Sequence, residues 1–322
     1  MKRRILLMLG LLGVLALGAW WLRPAGMDPA PEAPESPATA PITSESMAAG
    51  DGATASTRFA PSGESLPPET LALSQRLAEL ERLAKAGHPE ASCQLVVERL
   101  RCGFLQRWQP ERGEQSRELR LESQGQLQEA NEAAEATLLR MAQKKACGTA
   151  PPIESIGSLA LLGPAAAAGH APSALLYFEL GHEFRNERGI FAHPHFDAWR
   201  RDAARLLHAA FDAGHPGAAR ALGRAYLDDR DFANALVPDD PRRAYLYLQL
   251  ANRLSGSPRP TDDNLDMGLG AQQRRQLQAE ADRLHGERFG GRSYQGPELS
   301  ARGPYRQPAL TASEFCGDPA PL

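Results

Sequence analysis

Ala213-Gly214-His215-Pro216 separates two alanine-rich apolar stretches, Ala203 to Asp212 and Ala218 to Tyr226, and its reading decides the fold. Glycine takes the left-handed backbone that closes one helix, histidine stands at the N-cap of the next, and proline fits its first position, where no amide partner is lost. The phrase recurs. Ala86-Gly87-His88-Pro89 follows Leu73, Leu77, Leu80 and Ala84, an apolar stripe at i, i+4, i+7 and i+11. Ala168-Gly169-His170 follows the Ala-rich run from Leu159 to Ala168. Three helix–turn–helix hairpins are expected, at spacings of 82 and 45 residues. An internal repeat of such hairpins reads as an all-α solenoid, each pair burying its apolar face on its neighbours.

The larger spacing holds an insertion, about 111–146, in which Leu127, Ala130, Ala134, Leu138 and Met141 follow a near-heptad pattern. It reads as one long helix, or two, packed along the solenoid.

The third hairpin supports a family resemblance. Ala218-x-x-x-Leu222-Gly223-x-x-Tyr226, followed by Val237-x-x-Asp240-x-x-x-Ala244, resembles the Sel1-like repeat, a relative of the tetratricopeptide repeat. The second unit keeps Leu180-Gly181-x-x-Phe184. The first keeps Ala91 and Leu95, with Val96 where the pattern has glycine, and Asp228 to Leu236 replaces the family's Gly-x-Gly loop. The resemblance implies that Ala209, Ala210, Ala218 and Ala221 let paired helices approach closely, that Gly223 removes a side chain where backbones crowd, and that Tyr226 fills the space between units. Asp240-Pro241 starts a further helix by N-cap and N1 logic, and Gln272 to Leu284 is its helical partner. The repeat body then spans 69–287, and residues 288–322 form an irregular tail.

Lys2, Arg3 and Arg4 precede an uncharged, mainly apolar run of 18 residues from Ile5 to Leu22, with Arg23 after it. At about 1.5 Å per residue that run just spans a bilayer core, and its flanking cations keep the N-terminus cytoplasmic. Residues 1–23 read as a single-pass inner-membrane anchor, with a cleaved signal sequence and a soluble periplasmic body as the alternative. Residues 24–68, rich in Pro, Ala, Ser and Thr, read as a disordered linker. Lys and Arg total 36 against 39 acids, a net charge of −3, which argues against a nucleic-acid binder relying on global positive charge.

Cys93, Cys102, Cys147 and Cys316 are even in number, as suits an oxidising compartment, and permit three pairings. Cys93 and Cys102 lie nine apart in an expected helix, about 13 Å along its axis, too far to bridge if it is unbroken. The reading leans to Cys102–Cys147 with Cys93–Cys316; the alternative is that some remain buried free thiols.

Little in the chain points to catalysis. No Gly-x-Ser-x-Gly, Walker loop or dinucleotide fingerprint occurs, so no cofactor is expected. His88, His170 and His215 share one turn position and read as structural. His182-Glu183 with His193-Pro194-His195 and Asp197 could supply metal ligands, yet lacks the His-Glu-x-x-His spacing and reads more readily as a solvated turn. The expected function is therefore non-enzymatic: a membrane-tethered adaptor in the bacterial envelope that binds an unidentified protein or peptide. Its expected contacts are Arg224, Tyr226, Tyr245 and Tyr247, the tyrosines being also readable as core. The alternatives are a metal-binding protein or hydrolase using the histidine loop, and a structural spacer contacting cell wall.

Overall fold

Leu73–Lys85 forms the first helix, α1, because Leu77, Leu80, Leu83 and Ala84 fall on one face and bury there. A three-residue turn leads to α2, Pro89–Arg107. The insertion supplies α3, Glu114–Ser123, and α4, Leu127–Cys147. Two more hairpins follow, α5 with α6 (Ser155–Ala167 and Ala171–Glu179) and α7 with α8 (Pro194–Asp212 and Pro216–Ala225). The remaining helices are α9, Pro241–Ser255, α10, Ala271–Phe289, and the short α11, Ala312–Cys316.

This computed structural model describes residues 64–109, 114–148, 150–151, 153, 155–181, 193–227, 236–256, 267–294 and 310–317, which are all-helical with no strand among them. The expected anchor at 1–23, the linker up to residue 63, His182, Phe184, Asp228, Asp229, Asp231 and residues 295–309 of the tail lie outside the described residues.

The three turns share one hydrogen-bond pattern. His88, His170 and His215 donate their backbone N–H to the carbonyls of Leu83, Ala165 and Ala210, at 3.0, 3.2 and 3.1 Å. The glycines donate to Ala84, Ala166 and Phe211, at 3.0, 3.0 and 2.8 Å. Together these are the two bonds of a Schellman motif, with the glycine at C′ and the histidine at C″. The glycine must accept φ of +87°, +92° and +86°, which an L side chain rarely adopts. Each histidine then starts the next helix: its Nδ1 accepts the N3 amide of Ala91, Ser173 or Ala218, at 3.4, 3.3 and 3.3 Å.

The helices pack serially. α1 lies on α2, α2 on α5, α5 and α6 on α7, α8 on α9, and α9 on α10. Two glycines make the closest approaches. A Cβ at Gly223 would stand 2.7 Å from Leu248 Cγ of α9, and one at Gly181 would overlap the Trp199 indole of α7. Both belong to the Leu-Gly-x-x-aromatic phrase, so a missing side chain at that position admits a large one from the following helix.

Three expectations need correction, concerning the apolar stripe of the insertion, the tail and the linker. Only Ala130 of the near-heptad stripe on α4 is buried, while Leu127, Leu138 and Met141 are exposed. The insertion is a helical hairpin attached to α2, because Cys147 is bonded to Cys102 and Lys144 Nζ donates to the Trp108 carbonyl at 2.7 Å. The tail is not wholly irregular. Thr311 and Glu314 form a capping box for α11, Phe315 is buried, and Cys316 is bonded to Cys93 on α2. Lastly, the end of the expected linker is packed: Leu66 lies on the α1–α2 core and Pro67 is buried.

The disulfides are thus Cys93–Cys316 and Cys102–Cys147, within an unbroken α2 that holds Cys93 and Cys102. The second closes a span of 45 residues, a constraint on the unfolded chain of roughly 4 kcal/mol by loop-closure entropy.

His215 yields the test of the turn. Burial, with the neighbouring His170 charge adding to it, pushes its imidazole down to about 3 from an ordinary 6.5. In the unfolded chain the ring takes up a proton as pH falls below about 6.5, whereas in the fold it stays neutral, so its contribution to stability is complete above that pH and is lost on acidification towards about 3. His215→Ala is expected to cost about 1–2 kcal/mol at neutral pH through the lost cap. His215→Asn restores a cap acceptor and flattens the acid limb of stability against pH, read by urea unfolding between the two pKa values.

Candidate functional site

The expected contact residues fall on α8 and α9, and their packing sorts them. Tyr226 and Tyr247 stack face to face, with centroids 5.7 Å apart and planes inclined by 3°. Phe211 of α7 meets Tyr247 edge-on at 5.1 Å, and Phe289 of α10 meets Phe211 at 5.6 Å. This aromatic ladder ties four helices together. Tyr245 lies apart from it, its hydroxyl accepting from Gln278 Nε2 at 2.9 Å. Tyr226, Tyr245 and Tyr247 are 4%, 2% and 4% exposed, so all three are core and none offers a surface to a partner. Arg224 alone of the four reaches solvent.

The polar fringe of the ladder is set by its depth. The Tyr247 hydroxyl stands 3.5 Å from His208 Nδ1, and Arg243 lies over the Tyr226 ring at 5.7 Å. Asp240 holds Arg243 at 3.4 Å while its carboxylate accepts the amides of Arg242 and Arg243 as the N-cap of α9. Burial pushes the Tyr247 hydroxyl up, with Tyr226 and Asp212 adding to it against Arg243 and Arg288. Burial also pushes His208 down, opposed by Asp212. The partly exposed His208 ring and the buried Tyr247 phenol form a structural pair at the edge of the ladder. Of the charged side chains here, Arg224 is exposed and Arg243 partly so.

The loop histidines, read as a solvated turn with metal binding as the alternative, are placed at a helix start. His193 is the N-cap of α7, and its Nδ1 accepts the His195 amide at 3.2 Å. The two rings stack at 5.1 Å, and Asp197 faces Arg200 at 3.8 Å. One ring nitrogen of His193 is therefore committed to the backbone. Among the described residues no three His, Cys, Asp or Glu side chains converge as a ligand set. His193-Pro194 repeats His88-Pro89 and His215-Pro216, and that shared dipeptide was the available sign of a cap.

A group with no signal in the sequence sits at the end of α6. Glu179 is half-buried by surface, yet surrounding protein pushes its carboxyl up to about 8, against the pull of Arg224. Comparison with protein-family models, curated proteins and solved structures finds no match to this chain.

Glu179 makes stability depend on pH in the opposite sense to His215. Between about 4.5 and 8 the unfolded carboxyl ionises while the folded one keeps its proton, so rising pH costs the fold up to about 1.4 kcal/mol per unit over that window. Glu179→Gln is expected to gain stability relative to the parent steadily from pH 5 to about 8, in paired thermal-unfolding series. A constant difference across that range would place the carboxylate in water.

Proposed function

We propose that this chain is an exported, membrane-tethered helical-repeat protein of the Sel1-like type, acting as a non-enzymatic adaptor that binds a protein or peptide in the bacterial envelope. The observation that carries the proposal is the repeated turn. Three hairpins joined by the same Gly-His geometry, each packed on the next element, are what a short α-solenoid requires. Such an array presents helix faces as an extended binding surface instead of a closed catalytic cleft. Two disulfides among four cysteines suit an oxidising compartment, in keeping with a cationic, apolar N-terminal sequence that directs the body across a membrane. No helix among the described residues is long and apolar enough to cross a membrane; in this reading the run from Ile5 to Leu22, which lies outside them, carries that role.

The contact surface follows from what the core leaves free. The exposed side of α7 carries Arg200, Arg201 and Arg205, with Asp197 and Asp202 as their partners. Arg224 stands at the end of α8. This rim favours a partner that brings carboxylates.

In-cell crosslinking of the full-length chain in its native host, with mass spectrometry of the products, tests the proposal. One reproducible protein partner is expected, with its yield reduced about tenfold by Arg224→Glu, a change at an exposed position that leaves the helices intact. Recovery of cell-wall fragments with no protein would replace the adaptor by a spacer.

A further inference from the structure

Among the described residues, Leu119, Leu127, Leu138, Leu139 and Met141 are five of the six large hydrophobic side chains that stand exposed, and all five lie on the α3–α4 hairpin. Leu127, Leu138 and Met141 are 64%, 66% and 50% exposed. Their arrangement is regular. Leu127, Asn131, Ala134, Leu138, Met141 and Lys145 succeed one another at intervals of four and three, the a/d seam of a coiled coil. A solvent-facing helix of this length has no use for such a seam, whereas a second helix laid along it fills it by knobs-into-holes packing. The hairpin is also held ready. Thr137 Oγ1 donates to Glu118 Oε1 of α3 at 2.9 Å, Arg140 lies 6.0 Å over the Trp108 ring, and the Cys102–Cys147 bond fixes the end of α4.

Charge selects the occupant. One flank of the seam is closed by the protein itself, since Ala130 is buried and Lys144 bonds to Trp108. The open flank carries Glu132 and Glu135, both exposed, with Leu139 between the next turns. A second copy of this chain would bring the same acids. In the antiparallel alignment that stacks a on d, position 135 meets its own mate, and in the parallel alignment position 135 faces position 130 of the mate, which the mate's own body already buries. A cationic flank removes that repulsion and adds complementary charge.

We infer that α4 is a docking seam for an amphipathic α-helix of another protein, with apolar residues at its a and d positions and Lys or Arg on its flanks. The inference deepens the adaptor reading and rests on it for the existence of a protein partner, but it names a surface remote in sequence from Arg224. The helix supplies apolar side chains to the gaps around Ala134, beside Leu138 and Met141, and its cations to Glu132 and Glu135.

The probe is a synthetic three-heptad helix with Leu at a and d and Lys at e and g; its counterpart carries Glu at e and g. Each is titrated by fluorescence anisotropy against the full-length chain in zwitterionic lipid nanodiscs, with empty discs as the background. The Lys helix is expected to bind at least about tenfold more tightly than the Glu helix, and to weaken about tenfold with Leu138→Glu. The double change Glu132→Gln with Glu135→Gln is expected to narrow the preference for Lys without removing binding, and salt should narrow it likewise. Equal binding of the two helices overturns the inference, as does indifference to Leu138→Glu in a variant with unchanged helical circular dichroism. Binding matched by empty discs would make the seam a lipid contact, and sedimentation as a dimer dispersed by Leu138→Glu would assign it to a second copy; both contradict the proposal. Failure here with continued Arg224-dependent crosslinking in cells removes the α4 seam and leaves the adaptor; loss of both removes the adaptor itself.

Discussion

One residue does two jobs at each repeated turn, and the arrangement of helices depends on it. The histidine backbone amide ends one helix by its bond to the C3 carbonyl, and its ring begins the next by accepting the N3 amide. No residue is spent on a linker. The angle between the paired helices is then fixed by two backbone bonds and one cap, and the same solution is used three times. Aspartate or asparagine also caps well, but neither fills the interior space that the imidazole of the fully buried His215 occupies. The ring also reaches beyond its own turn: His170 Nε2 stands 2.9 Å from the Cys316 carbonyl, joining the second turn to α11.

Burial of those turns brings polar groups inside, and the structure meets that cost unevenly. Around α11 the network is dense. Arg76 bonds Glu98, Glu98 faces Arg101 at 3.6 Å, and Arg101 donates to the Leu310 carbonyl, with the Cys93–Cys316 bond alongside. At the third turn it is sparse, since His215 Nε2 has no hydrogen-bond partner among the described residues. A buried donor without a partner costs roughly 1–3 kcal/mol. A second proton on the ring would have to go to Nδ1, where it would break the cap and create a buried charge.

The three Gly-His turns were legible in the sequence because their chemistry is local: a left-handed glycine, a cap and a proline act within four residues. Gly223 was legible for a related reason, as an alanine-rich helix has one clear place for a close approach, now seen to admit Leu248. The tyrosines were harder. Spacing puts Tyr226, Tyr245 and Tyr247 on helices, but only the positions of Phe211 and Phe289 decide that two of them close a ladder. The α4 stripe shows the limit of periodicity, which reports that residues share a face and is silent about what covers it. Helix α11 left little trace, because five residues held by a bond to Cys93 take their stability from contacts over two hundred residues distant. His193 was misread for want of a preceding glycine, although its proline marked the cap. Glu179 carries no local signal, since its proton is held by burial alone.

Imidazole Nδ1 atoms cap these helices, and the protonation of the rings reports it directly. Long-range nitrogen–proton correlation spectra of the 15N-histidine-labelled protein at neutral pH distinguish a bare ring nitrogen from a protonated one. The account predicts unprotonated Nδ1 and protonated Nε2 for His88, His170 and His215, with His215 keeping that form well into acid. Protonated Nδ1 at these positions, or a His215 ring that titrates near its ordinary 6.5, would contradict it.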